Sequence, residues 1–268
     1  MLPDSLIIGA MKAGTSSLFH YLASHPQVVP SSIKETDFFF SDRNYERGVS
    51  WYESLFSGAG SHALEASPNY TKRHLKPGMP ARIHQLIPAV KMVFVARDPV
   101  ERLISHYVHN LDHGRERRPF DEAIVDVDSN YYQTSRYFFQ IEAFLEHFPS
   151  EQLFVVQSEQ LRSDTAKVVA EVCSFFGLSD ECDPAVMEKA IHPSSAKTTP
   201  SRLERALLKL PLQPGAKDLI KRKTKSLRKP IARPKPSADQ LNRIKDALAE
   251  DAAKLREFAN QEFADWCV

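Results

Sequence analysis

The residues best suited to chemistry form a short loop between Gly9 and Gly14, with Lys12 inside it. The apolar run Leu6-Ile7-Ile8 precedes this loop and Thr15-Ser16-Ser17 follows it. A strand, a tight glycine turn and a helix start, in that order, direct backbone N–H groups and the positive helix end at one spot, where a phosphate can sit. The lysine adds a positive charge. The loop is therefore predicted to bind an anion.

The place of the lysine distinguishes this loop from that of nucleotide triphosphatases. In the pattern G-x-x-x-x-G-K-[ST], the lysine follows the second glycine and the next hydroxyl holds magnesium. Here Thr15 follows Gly14, and Lys12 lies two residues before that glycine. The lysine then approaches from the strand side, toward the group beyond the bound phosphate. The alternative is a helix after a strand, with the lysine in solvent.

The composition, with 42% hydrophobic and 26% charged residues, is typical of a soluble globular protein, and 268 residues suffice for one large α/β domain. No segment reaches the roughly 18–20 consecutive apolar residues of a membrane span. The chain starts directly with the first predicted strand, so we expect no signal peptide. Its three cysteines match no common metal pattern and favour a reducing, cytoplasmic location.

Positive charge is concentrated in one tract, Arg202–Lys235, which carries 12 Lys/Arg against 2 Asp/Glu. Such a tract could bind nucleic acid, a membrane surface or another polyanion. Because no aromatic residue interrupts it, we interpret it as a solvated, Pro/Lys-rich excursion over about residues 202–236. We expect no nucleic-acid partner.

Short apolar runs alternate with helical patterns over the first hundred residues, which predicts repeated β-α units and an open α/β sheet. Strands are predicted at Ser5–Gly9, Gln27–Pro30, His62–Ala66, Lys91–Ala96 and Leu153–Gln157. Helices are predicted at Thr15–Ser24, Tyr45–Phe56, Met79–Leu86, Pro99–Asp112, Ser135–Phe148, Ala166–Phe176, Pro184–Ala190 and Ala238–Phe263.

Charged residues follow several of these strands. In an open α/β sheet, ligands bind at the carboxyl ends of the strands. The first strand delivers Lys12, the second leads to Lys34 and Glu35, and the third and fourth deliver Ser67 and Arg97. The sequence therefore predicts a phosphate-binding edge that also holds a carboxylate.

Arg97 begins a second candidate phosphate site, because a guanidinium can bind phosphate through two hydrogen bonds. Ser105, about two turns into the following helix, can add a hydroxyl to this phosphate site. The alternative is an ion pair of Arg97 with Asp98 or Glu101. We interpret three histidines at helical spacing as ordinary helix residues: His106, His109 and His113.

Glu35 is the candidate general base. The apolar run Phe38-Phe39-Phe40 follows it closely in sequence. An apolar wall beside a carboxylate excludes water and can raise its pKa into a range useful for base catalysis. The same phenylalanines, with Trp51 and Tyr52, are assigned to the core rather than to an acceptor cleft.

Two motifs resemble those of sulfotransferases that use 3′-phosphoadenosine 5′-phosphosulfate (PAPS). Lys12 to Leu18 is similar to the 5′-phosphosulfate loop K-x-G-T-[ST]-x-L, and Arg97 to Tyr107 to the 3′-phosphate motif R-[DN]-P-x-E-R-x-x-S-x-Y. Lys34-Glu35-Thr36-Asp37-Phe38-Phe39 resembles the K-E-P-H-F-F segment of 3-O-sulfotransferases. The chain thus resembles the branch that contains heparan sulfate sulfotransferases and their bacterial relatives.

The resemblance implies a P-loop-like, three-layer α/β fold: a central, mostly parallel sheet flanked by helices, with a helical C-terminal part. It implies one sulfotransferase domain over residues 1–268 that moves a sulfuryl group from PAPS to an acceptor hydroxyl, without a metal, leaving adenosine 3′,5′-bisphosphate (PAP). The acceptor could be a carbohydrate, a lipid or a small metabolite. Glu35 would be the base, and Lys12 would assist the leaving phosphate. The donor would contact Lys12, Ala13, Gly14, Thr15, Ser16, Ser17, Arg97 and Ser105.

The chain departs from the family pattern in two places. Thr36 and Asp37 replace its Pro-His, and Glu65-Ala66-Ser67-Pro68 lacks the lysine of its E-K-[ST]-P segment, which disfavours a heparan-like acceptor. His192–Lys197 is a weak counterpart of the family's lysine-containing loop. The motifs leave two other functions open, an ATP-dependent small-molecule kinase of the P-loop class and a non-catalytic polyanion-binding module.

Overall fold

Five parallel strands form the centre of the computed structural model, which describes residues 1–188, 198–199, 204, 207, 214–224 and 228–268. They are β1 (Ser5–Gly9), β2 (Val28–Pro30), β3 (His62–Ala66), β4 (Lys91–Ala96) and β5 (Leu153–Gln157). Their order is β2-β3-β1-β4-β5, and every neighbouring pair is parallel. Helices flank the sheet, so its strands are almost continuously apolar. The predicted P-loop-like α/β fold is confirmed.

Helices connect these strands and form the C-terminal part. The first seven are α1 (Thr15–Leu22), α2 (Asp42–Tyr45), α3 (Val49–Glu53), α4 (Met79–Leu86), α5 (Pro99–Asp112), α6 (Phe120–Ala123) and α7 (Asn130–Gln133). The others are α8 (Tyr137–Leu145), α9 (Ser158–Ser163), α10 (Thr165–Phe176), α11 (Pro184–Met187), α12 (Pro214–Lys223) and α13 (Ala238–Ala259). A 3₁₀ helix spans Pro68–Thr71. None of the described helices is long and apolar enough to cross a membrane.

Two predicted helices end or break where a residue adopts a positive φ. The helix predicted over Tyr45–Phe56 is wrong: α2 and α3 are separate, because Gly48 between them has a φ of 80°. The last helix ends at Ala259 rather than at Phe263, because Asn260 adopts the left-handed conformation with a φ of 49°. Residues 189–197, including the His192–Lys197 segment, lie outside the described residues.

Strand β1 lies at the point where the chain changes direction across the sheet. The chain passes from β1 to the far side of β3, returns to β3, and then continues to β4 on the other side of β1. Crossovers that diverge in this way leave a crevice at the carboxyl ends of the central strands. The loop after β1 therefore opens directly into that crevice.

The basic tract is attached to the folded body at two arginines. Arg228 lies 2.9 Å from Glu204 and 3.7 Å from Asp112 of α5. Arg233 donates to Glu101, also on α5, at 2.6 Å. A two-strand ladder joins β6 (Thr198–Thr199) to β7 (Lys229–Pro230). Arg228 is therefore a half-buried arginine paired with carboxylates, whereas Arg233 stays exposed beside Glu101.

The long C-terminal helix α13 supplies the acceptor for the amino end of α8. Asp251 accepts hydrogen bonds from the backbone N–H groups of Phe138 at 3.0 Å and Phe139 at 2.8 Å. Arg136, which precedes α8, makes no side-chain cap of its own. A residue more than a hundred positions away thus performs the capping that the local sequence lacks.

This contact predicts a pH-dependent stability. Burial raises the pKa of the Asp251 carboxyl from 3.8 to about 6, so the folded state holds its proton more tightly than the unfolded state. The stability gained from this proton is complete below the unfolded pKa and is lost as pH rises through 6. Relative to Asp251→Asn, the wild type should lose ~2 kcal/mol between about pH 4.5 and 7.5 in urea unfolding. Parallel pH profiles would contradict this assignment.

Candidate active site

A cavity of about 1200 Å³ lies at the carboxyl edge of the sheet. Its volume is sufficient for a nucleotide-sized ligand together with part of a second molecule. The structure brings every site residue proposed from the sequence into its lining: Lys12, Ala13, Gly14, Thr15, Ser16, Ser17, Glu35, Arg97 and Ser105. The expectation that ligands bind at the carboxyl ends of the strands therefore identified residues of one shared cavity.

The loop after β1 and the start of α1, residues 10–16, have the geometry of an anion-binding site and are called the anion cradle below. Lys12 and Gly14 have positive φ values of 71° and 113°, and the N–H of Ala13 turns back to the carbonyl of Ala10 at 3.1 Å. Gly14 is the N-cap of α1 and offers no side-chain cap. The first N–H groups of a helix have no acceptor within that helix. The amides of Thr15 and Ser16 are thus available to an anion in the cavity.

Arg97 lines the same cavity but also has protein partners. Its guanidinium donates to Glu101 at 2.9 Å and to the carbonyl of Lys12 at 3.4 Å. Its Nε is buried and has no hydrogen-bond partner in the described part of the protein. The ion pair considered as an alternative is present, yet an unsatisfied N–H remains. Glu101 is shared with Arg233, which leaves part of the charge of Arg97 for a ligand.

The turn that carries Arg97 is fixed from two sides. The hydroxyl of Tyr137 donates to the Arg97 carbonyl at 2.8 Å. Asp98 accepts from the N–H of Glu101 at 2.8 Å, capping α5, and from the N–H of Cys267 at 2.6 Å. The closing segment of the chain therefore holds the start of α5. Asp98 is occupied by these backbone N–H groups, and of the two ion pairs considered for Arg97 the one with Glu101 is formed.

Glu35 lies in a short segment that is pinned to the end of β3. Its N–H donates to the carbonyl of Ala66 at 3.1 Å, and the N–H of Asp37 donates to the Ser67 hydroxyl at 3.0 Å. Glu35 and Asp37 have positive φ values of 59° and 48°, which side-chain-bearing residues rarely adopt. This backbone buries Thr36 between them while both carboxylates line the cavity.

A fully buried carboxylate, Glu65, anchors that segment. It accepts hydrogen bonds from the hydroxyls of Thr36 at 2.7 Å, Ser67 at 2.5 Å and Tyr70 at 2.9 Å, and from that of Tyr52. Burial raises the pKa of Glu65, and the hydroxyl donors act in the opposite direction. These hydrogen bonds satisfy a carboxylate that would otherwise be costly to bury.

The predicted apolar wall beside Glu35 is wrong. Phe38 and Phe39 are buried in the core, where Phe38 stacks on Tyr52 with ring centroids 4.2 Å apart. Their assignment to the core is therefore correct. The side chain of Glu35 is 48% exposed and pairs with Lys34 at 2.6 Å. The left-handed backbone at residues 35 and 37 separates the Glu35 carboxylate from the phenylalanine rings, so the rings do not shield it from water.

Asp37 is the second carboxylate of the cavity and the more enclosed one. The side-chain amide of Asn69 donates to both of its oxygens, at 3.2 and 3.0 Å. Burial raises the pKa of Asp37, and the nearby charge of Glu35 raises it further. Two carboxylates in different surroundings thus line one wall.

The cavity also contains cations and hydroxyls that the sequence analysis did not single out. Arg162 of α9 donates to the Ser158 hydroxyl at 2.9 Å. Burial lowers the pKa of Arg162, and the nearby charge of Arg97 lowers it as well. Ser158 directly follows β5, so a search of the residues after each predicted strand could have found it. Lys72 and Arg115, which no local pattern marks, also line the cavity. So do His109 and His113, which the sequence analysis interpreted as ordinary helix residues.

The parallel sheet, the glycine loop after its central strand and the cation-rich cavity define a P-loop-like α/β protein whose cavity suits an anionic ligand. The chain belongs to the sulfotransferase domain family, whose model matches residues 2–229.

Individual relatives agree with this family. The human heparan sulfate glucosamine 3-O-sulfotransferases 3B1 and 5 are each 33% identical, over 187 and 191 residues. Each alignment covers 66% of this chain, and the chain spans about half the length of these curated relatives, 46% and 54%. A sulfotransferase structure from Alicyclobacillus acidocaldarius aligns over 99% of both chains at 23% identity with a TM-score of 0.71, which supports the fold.

The close packing around Gly9 predicts that a side chain at this position lowers the stability of the fold. A Cβ atom at Gly9 would lie 2.4 Å from the Thr71 hydroxyl and 2.8 Å from the Phe94 ring. Gly9→Ala should therefore lower the free energy of unfolding by about 1–3 kcal/mol in urea. Gly78→Ala is the matched control, because nothing lies within 4 Å of its added methyl group. Equal stability of the two variants would contradict this close packing.

Proposed function

We propose that the protein transfers a sulfuryl group from PAPS to an acceptor hydroxyl and releases PAP. The observation that carries the proposal is one cavity lined by the anion cradle, by Arg97 and Ser105, and by Glu35. A ligand with phosphates at both ends matches two separate phosphate sites. The family match supports sulfotransfer over the kinase and the polyanion-binding module that the motifs left open.

The two phosphate sites suit different ends of the donor. The N–H groups of Gly14, Thr15 and Ser16 would hold the 5′-phosphate, with the adjacent hydroxyls of the helix start. Arg97 and Ser105 would hold the 3′-phosphate, and the unpartnered Nε of Arg97 fits an incoming anion. This second site would separate PAPS from ATP, which has no 3′-phosphate.

The proposed reaction is an in-line displacement at sulfur. The acceptor oxygen forms a bond to sulfur while the bond from sulfur to the bridging phosphate oxygen breaks. Glu35 takes the proton of the acceptor hydroxyl, and Lys12 neutralises charge on the departing oxygen. Positive charge and backbone dipoles thus stabilise the leaving group without a metal ion.

The acceptor is proposed only as a hydroxyl compound, whether carbohydrate, lipid or small metabolite. The curated relatives are named for heparan sulfate, but the residue in place of the family's lysine is Ala66, which is fully buried. This difference supports an acceptor other than a heparan-like polyanion.

Donor binding tests the proposal directly. PAP should raise the melting temperature without magnesium, by roughly 2–4 °C per kcal/mol of binding free energy for a chain of this size. ATP with magnesium serves as the comparison ligand. Stabilisation by ATP with magnesium alone would overturn the proposal in favour of a kinase. Stabilisation by neither nucleotide would favour the binding module.

Glu35→Gln tests the base, once an acceptor has been found by labelled-donor transfer. We expect kcat to fall by about 10²–10⁴-fold, while the affinity for PAP stays nearly unchanged, because the amide keeps the shape of the side chain but cannot take a proton. The exposed Glu46→Gln is the control. Full activity of Glu35→Gln together with loss in Asp37→Asn would identify Asp37 as the base instead.

A further inference from the structure

Lys72 is a buried lysine that faces the candidate active site. It follows the 3₁₀ helix Pro68–Thr71, is only 7% exposed and lines the cavity together with Lys12 and Glu35. Its ammonium group donates to the Sδ atom of Met11 at 3.3 Å. No carboxylate in the described part of the chain forms an ion pair with it. The hydrogen-bond partner found for this charge is therefore a thioether, which is a weak acceptor.

Such an ammonium is costly in the ligand-free protein. Burial, and to a smaller extent the charge of the buried Arg102, lowers the pKa of Lys72 to about 8. Removing a charge from water without a counter-ion is unfavourable, and a surface lysine would avoid that cost. A buried, weakly partnered cation that lines a cavity is typical of a group whose counter-ion arrives with the ligand.

The surroundings of Lys72 indicate which part of the ligand it would meet. Met11 immediately precedes Lys12 on the anion cradle, so Lys72 touches that loop. The carboxylates of Asp37 and Glu35 line the same cavity and are near enough to raise the pKa of Lys72. Lys72 is thus in contact with the cradle loop and within electrostatic range of both carboxylates. A group that passes from a phosphate in the cradle to an acceptor activated by a carboxylate would therefore pass near its ammonium.

We propose that Lys72 is a catalytic residue whose ammonium binds the oxygens of the transferred sulfuryl group. This inference rests on the proposed function, because it names a contact to the group that distinguishes PAPS from PAP. The lysine would hold the sulfuryl group between the leaving phosphate and the acceptor hydroxyl, and its positive charge would stabilise the oxygens at sulfur during transfer.

The test compares two ligands that differ only in the sulfuryl group. Lys72→Met keeps the length and apolar stem of the side chain but removes the charge. By calorimetric titration without acceptor, its affinity for PAPS should fall by about tenfold or more, as expected for the loss of a charge-assisted hydrogen bond. Its affinity for PAP should remain within about twofold of the wild type. Lys167→Met, at an exposed lysine of α10, should change neither affinity.

A second measurement reports on the cost of burying the charge. Ligand-free Lys72→Met should melt about 2–5 °C above the wild type, because it no longer buries an ammonium without a counter-ion. This gain in stability with a loss in PAPS affinity is the reverse of what a structural lysine would give. Lys72→Gln provides the same comparison of PAP with PAPS if the methionine variant does not fold.

The outcomes separate this inference from the function on which it rests. Equal losses of PAP and PAPS affinity in Lys72→Met, or no loss of either, would overturn the role of Lys72 while leaving sulfotransfer intact. Failure of the wild type itself to bind PAP and PAPS would overturn the proposed function.

Discussion

The parallel arrangement of β3, β1 and β4 is the constraint on which the site depends. Parallel strands end at one edge, and β1 lies between two strands reached by diverging crossovers. The glycine loop, the Glu35 segment and the Arg97 turn therefore meet around one cavity although they are far apart in sequence. Gly9 makes this geometry possible at close range, because a side chain there would collide with Thr71 and Phe94.

The site is held in place mainly by buried polar contacts. The carboxylate of Glu65 binds four hydroxyls and so fixes Thr36, on whose two sides Glu35 and Asp37 reach the cavity. Asp98 joins the start of α5 to the closing segment at Cys267. Each contact links elements distant in sequence. The cavity is thus surrounded by groups whose positions are fixed by contacts within the fold.

The charges in and beside the cavity are unevenly satisfied, which relates the structure to the proposed chemistry. The buried Glu65 and Asp98 have several donors each, whereas Lys72 has a thioether partner and the Nε of Arg97 has none among the described residues. Glu65 and Asp98 are therefore structural carboxylates, and Lys72 and Arg97 retain capacity for a ligand. This imbalance suits a ligand with several negative charges, as the proposed donor has.

The sequence by itself determined the five strands and most of the longer helices. It also indicated that the anion cradle, Glu35 and Arg97 lie together at the carboxyl ends of the strands. Strand periodicity, glycine turns and helix starts depend on neighbouring residues, so they can be predicted locally. The local spacing of Arg97 and Glu101 also allowed their ion pair to be considered. Only the tertiary structure decided the contact of Arg97 with the Lys12 carbonyl, the exposure of Glu35 and the burial of Lys72. These features depend on residues that meet only when the sheet assembles, and no local pattern records them.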